Sequence, residues 1–208
     1  MSHRDLVASV LGEHGGTYAE QAGIRLADKP SPLFQLLVLS TLASTRIAAD
    51  IAAATAAELW DFGWRTPERM LASTWQERVD ALGRGGYRRY DESTATSLAD
   101  TCELLLDRHR GDLRRIRPTG QEGEVDALLD ALQGFPRLGP VGAAIFCREV
   151  QVVWPEVRPF FDDKAIGGAR AVGLPDDPAT LGALVAPTKV GELAAALTRV
   201  GIASSRQR

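Results

Sequence analysis

Three stretches of this 208-residue sequence carry side chains whose types and spacing can do chemistry. The first is Phe135-Pro136-Arg137-Leu138-Gly139-Pro140-Val141-Gly142-Ala143, a glycine-containing turn between two apolar helical stretches. Gly139 has no side chain, so the main chain there can approach a phosphate, and the N–H groups opening the next helix carry the positive end of its dipole. A corner packed in the interior would use the same residues. The second is Phe160-Phe161-Asp162-Asp163-Lys164, which sets carboxylates beside aromatic rings at a helix start. Such a carboxylate can face a reacting group, or it can cap the helix. The third is basic: Arg84, Arg88, Arg89, Arg108, Arg110, Arg114, Arg115 and Arg117 are interleaved with six acidic residues. That surplus fits a modest phosphate-facing patch or a solvated face of mixed charge. Tyr87 and Tyr90 could stack on bases, and Trp60, Trp64 and Trp75 could line a pocket, although aromatics at helical spacing also build cores.

These residues need a scaffold, and the punctuation of the sequence is helical. Ser31-Pro32 and Thr66-Pro67 read as capped helix starts, and 73–76 as a capping-box pattern with a stop at Gly83. Ala95, Leu98, Cys102, Leu105 and Leu106 recur at helical spacing over 93–110, with Gly111 as terminator. Further helices are expected at 125–132, 143–153, 165–172 and 192–200. Only 150–154 looks like a strand, and one strand makes no sheet, so the fold class is all-α. Proline and glycine mark 118–123 as a linker that could separate two helical lobes, and 174–187 as a loop-rich connection.

Composition bounds the rest. Hydrophobic residues make up 45% and charged residues 25%, which suits a soluble globular chain. No apolar run is long enough for a membrane span, and the N-terminus does not read as a signal peptide, so a cytoplasmic protein is expected. The net charge of −3 excludes coating nucleic acid by charge alone but leaves a local basic face open. Two cysteines, Cys102 and Cys147, cannot by themselves build a zinc ribbon or iron–sulfur site and are expected as buried thiols. Lys29, Lys164 and Lys189 are the only lysines, so few amines are available.

Taken in order, the Ser31 helix, Gly86-Tyr87-Arg88-Arg89, the hairpin, Trp154-Pro155 and Phe161-Asp162 resemble the helix-hairpin-helix DNA glycosylase superfamily that includes endonuclease III and adenine glycosylases. The resemblance runs over 31–174. Residues 36–45 (LLVLSTLAST) resemble the family's first core helix and following DNA-facing loop, and 135–143 its hairpin. Phe161-Asp162-Asp163-Lys164, with Ala171-Val172-Gly173-Leu174 beyond, matches the segment of the family's catalytic aspartate and places that residue at Asp162. There are departures. The position of the Schiff-base lysine of bifunctional members is Val141, the first hairpin glycine is Arg137, and a glutamine that enters the DNA stack falls at Leu42. The C-terminal four-cysteine cluster is absent.

The resemblance implies two helical lobes with a cleft between them. The first lobe lies near 31–117, and the hairpin and catalytic aspartate lie within 124–174. The terminal helices complete the second lobe. It also implies a monomeric, monofunctional DNA glycosylase that flips a damaged or mismatched base from double-stranded DNA and hydrolyses its N-glycosidic bond with Asp162. Leu42, Tyr87, Arg88, Arg89, Arg137, Gly139, Val141 and Gly142 would contact DNA. No iron–sulfur cluster or resident metal is expected, although a monovalent cation at the hairpin would follow the family. Two alternatives stand beside this: a helix-hairpin-helix DNA-binding or damage-sensing relative without catalysis, and a helical protein with no nucleic-acid role.

Overall fold

The computed structural model describes residues 2–206. In chain order the α-helices are α1 (His3–His14), α2 (Tyr18–Gln21), α3 (Pro30–Ala43), α4 (Ala49–Asp61), α5 (Pro67–Leu71), α6 (Trp75–Arg84), α7 (Asp91–His109), α8 (Glu124–Gln133), α9 (Pro140–Val150), α10 (Asp163–Ala171), α11 (Pro178–Gly182) and α12 (Val190–Arg206). The described residues contain no strand, and the strand-like run at 150–154 is the end of α9 and a turn. Val150, Val152 and Val153 favour strands, but the Val153 and Trp154 amides both donate to the Val150 carbonyl and close the helix. None of the helices is long and apolar enough to cross a membrane, among the described residues.

Caps explain where helices start. Thr66 accepts from the Arg69 amide, and Thr74 with Glu77 forms a complete capping box one residue later than expected. The Ser31 expectation is corrected: Lys29 is the N-cap and Pro30 opens α3, while the Ser31 hydroxyl donates to the Arg65 carbonyl at 2.8 Å. Pro30 fixes the backbone angle two residues before Pro32 could.

The chain divides into a larger unit, 19–146, and a smaller one formed by 1–18 with 147–208. The 118–123 segment and the hairpin therefore both lie inside the larger unit. There the Glu124 carboxylate accepts from the amides of Thr119, Gly120 and Gln121 and pins the segment to the start of α8. The larger unit is built on α3, whose residues from Leu33 to Leu42 are all buried. Trp60 and Trp64 are buried, whereas Trp75 is exposed and donates to the Thr96 hydroxyl.

In the smaller unit α12 packs on α1 and, most extensively, on α10. The crossing of α10 with α12 depends on glycine. A Cβ on Gly168 would run into the Leu197 carbonyl, and one on Gly201 into the Lys164 carbonyl. Around it Val7, Val10, Phe161, Ala165, Leu174, Leu193 and Leu197 form the core. Because α10 is clamped by backbone contact, the residue that caps it is held in a fixed place.

Candidate functional site

The hairpin is a tight link in the larger unit. The Phe135 amide donates to the Leu132 carbonyl and the Leu138 amide to the Phe135 carbonyl, at 3.0 and 3.1 Å. Phe135 and Leu138 are buried, so the turn is anchored inward and Arg137, Gly139, Pro140 and Val141 face solvent. Arg137 takes φ +59°, the left-handed conformation that glycine adopts without penalty. An arginine in this conformation holds strain in the backbone of the turn. Gly142 is buried, and a Cβ there would sit 2.6 Å from a Leu138 methyl and 3.2 Å from the Ser44 Cβ. Gly139 has nothing within 4 Å of a Cβ, so its lack of a side chain leaves open space outside the turn. Val141 is 63% exposed, and first-turn amides of α9 have no carbonyl one turn earlier within the helix.

The loop after α3 meets this hairpin, and the 86–90 turn is tied to that loop. Besides the contact of Ser44 with Gly142, the Thr45 hydroxyl lies 2.8 Å from the Tyr87 hydroxyl, which donates to the Leu42 carbonyl at 3.2 Å. Burial pushes the Tyr87 phenol up, against the Thr45 hydrogen bond and the nearby Arg137 charge. Leu42 and Tyr87, expected to touch DNA, both have 0% exposure. That expectation is corrected: they are core residues, and Tyr87 ties the 86–90 turn to the loop after α3.

Arg88, Arg89 and Arg137 are exposed, as is Arg46, which the sequence reading passed over although it directly follows LLVLSTLAST. The wider basic stretch is partly spent internally, since Arg84 pairs with Glu58, Arg114 with Asp112 and Arg117 with Asp28. The His109 ring lies 5.8 Å from that of Phe135, and burial, with Arg108 and Arg115 beside it, holds its imidazole below the usual range.

Asp162 belongs to the smaller unit and caps α10: one carboxylate oxygen accepts from the Ala165 amide at 2.8 Å. The other is 2.5 Å from an Arg148 guanidinium nitrogen. The Asp162 side chain is 9% exposed and that of Arg148 4%. Arg148 also reaches the fully buried Glu149 carboxylate at 3.3 Å and lies 4.9 Å from the centre of the Tyr18 ring. Burial works against the guanidinium charge, but Asp162 and Glu149 outweigh it and hold Arg148 above its ordinary value. Tyr18 is also covered by Arg199, at 4.3 Å, and burial raises its phenol despite both cations. The approach to Asp162 is fixed by Gln151, whose amide donates to the Phe160 carbonyl at 2.7 Å and accepts from the Phe160 amide at 3.0 Å. Asp163 and Lys164 are exposed.

Sequence reasoning missed Arg148, Glu149 and Tyr18. The signal was a charged pair inside an apolar helix, where charges persist only when they are paired. Cys102 and Cys147 are buried free thiols, each pushed up to about 12 by burial. Among the described residues no group of three His, Cys, Asp or Glu side chains is arranged to hold a metal ion.

No family model matches the chain, and no curated protein matches its sequence. Among solved structures, a trapped endonuclease III–DNA covalent intermediate, the estranged-adenine complex, is similar over 95% of this chain and 85% of its own. The identity is 18% and the TM-score 0.52. A non-covalent endonuclease III–DNA complex covers the same shares at 18% identity with a TM-score of 0.46. The chain has an all-helical, endonuclease III-like fold.

Proposed function

We propose that this protein is a monofunctional DNA glycosylase that binds duplex DNA through the hairpin and the loops beside it and hydrolyses the N-glycosidic bond of a damaged or mismatched base. The observation that carries the reading is Asp162. It is a carboxylate fixed at the N-cap of α10, next to a buried guanidinium, in a chain with the fold of a protein solved as a covalent complex with DNA. Breaking the glycosidic bond places positive charge on the sugar, and a preorganised carboxylate stabilises that charge and orients the attacking water. The first-turn amides of α9 and the exposed Arg46, Arg88, Arg89 and Arg137 supply phosphate contacts that position the duplex without reading sequence. At the hairpin position of the family's lysine, Val141 has no amine, so a Schiff base cannot form there.

The second reading, a DNA-binding relative without catalysis, is favoured by one observation: both carboxylate oxygens of Asp162 already have partners inside the protein. The test is incubation of purified protein with duplexes that each carry one modified or mismatched base, with released base read by mass spectrometry. Release from at least one duplex is expected. Binding without release from any of them would favour the second reading.

A further inference from the structure

Both partners of Asp162 come from within the smaller unit, and they are unlike. The Ala165 amide is a neutral donor supplied by the helix that Asp162 caps. Arg148 is a full charge, nearly sealed from water, and it is shared. One guanidinium between the Asp162 and Glu149 carboxylates leaves the trio with one negative charge in excess. Had Arg148 a single carboxylate partner, the pair would be neutral and of little use to a cationic sugar. A carboxylate so poorly solvated is costly to hold in the interior without a cation beside it.

Arg148 is itself held in place. The Tyr18 ring lies against it, the Thr198 hydroxyl is 3.4 Å from its guanidinium, and its main-chain carbonyl accepts from the Gln151 amide at 3.0 Å. Gln151 also holds the Phe160 backbone just before Asp162. The same small network therefore fixes both the cation and the carboxylate.

We propose that Arg148 is the positioning residue for Asp162, and that Glu149 sets how strongly Arg148 holds it. Arg148 holds and orients the Asp162 carboxylate through the ion pair, and Glu149, by sharing the guanidinium, weakens that hold and leaves Asp162 more of its charge for a cationic sugar. The inference rests on reading Asp162 as the reacting carboxylate. The charged groups around Asp162 are Arg148 and Glu149 on α9, the Tyr18 phenol, Arg199 of α12 across that ring, and the exposed Asp163 and Lys164 in the first turn of α10.

The experiment follows the carboxyl carbon signals of 13C-labelled aspartate in the full-length protein as pH is varied, with the Asp162 signal identified by its loss in Asp162→Asn. In Arg148→Gln the Asp162 titration midpoint should rise by about one pH unit or more, because an adjacent cation is lost. In Glu149→Gln it should fall, because a like charge is removed. Arg148→Lys should lie between Arg148→Gln and the unsubstituted protein. General loosening of the fold does not produce shifts of opposite sign. Should Arg148→Gln fail to fold, Arg148→Lys and Glu149→Gln carry the test. A midpoint that stays put, or moves the same way in both exchanges, overturns the proposal.

The acid limb of the rate–pH profile for base release should move with the same signs. If the signals move as expected while Asp162→Asn releases base as well as the unsubstituted protein, the role of Arg148 in holding Asp162 stands and the reading of Asp162 as the reacting carboxylate fails.

Discussion

The hairpin and the Asp162 site solve opposite problems. At the hairpin the backbone is strained at Arg137, the Gly139 surface is open, and several arginines are exposed. At Asp162 both carboxylate oxygens are engaged, the helix beneath is clamped by glycine contacts, and the central guanidinium is buried. On the proposed function, the first region is the surface against which DNA presses. The second is arranged so that one carboxylate does not move. A binding surface tolerates open space because its partner fills it, whereas a reacting group must be preorganised before the partner arrives.

The sharpest way to break this contrast is Asp162→Asn beside Asp163→Asn. The first should retain duplex binding and lose base release by about two orders of magnitude or more, the scale for removing a main electrostatic stabiliser. The second changes an exposed side chain and should alter release little. Single-turnover release and a binding isotherm on the same preparations check both. The reverse pattern would place the functional carboxylate at Asp163.

Glycine exchanges test the packed side against the open one. Gly168→Ala should destabilise by about 1–3 kcal/mol, since backbone on α12 must move, and thermal unfolding reads this directly. Gly139→Val meets no atom and should stay within about 1 kcal/mol. It should nevertheless weaken binding to all duplexes alike, because it blocks a phosphate approach that carries no sequence information. An unchanged dissociation constant at matched salt would remove the hairpin from the interface.

The smallest expected effect is the most diagnostic of strain. Arg137→Gly should stabilise the fold by about 1 kcal/mol by relieving the left-handed backbone, while weakening DNA binding and lowering the salt slope by about one. Stability and affinity should move in opposite directions. A loss of both would mean that Arg137 supports the turn.

Much of this was legible in sequence because it is local. The capping box, expected one residue before its place at Thr74, the proline-led start after Thr66 and the apolar period of α7 need only neighbours along the chain. The hairpin was legible for the same reason, as was the placing of Asp162 at a helix start. The residues that define its chemistry were not. Arg148 lies 14 residues from Asp162, and Tyr18 meets Arg148 from the other end of the chain, so no spacing rule joins them. Leu42 and Tyr87 were misplaced because motif order does not say which face of a segment is inside.

On the proposed function, water assisted by Asp162 breaks the glycosidic bond with no amine involved. The most direct test is borohydride trapping on a duplex from which the protein releases a base, with strand integrity read on the same sample. Base release with an intact abasic strand and no covalent adduct is the predicted result. A trapped protein–DNA adduct that disappears in Lys164→Ala would contradict the claim and make Lys164 the nucleophile.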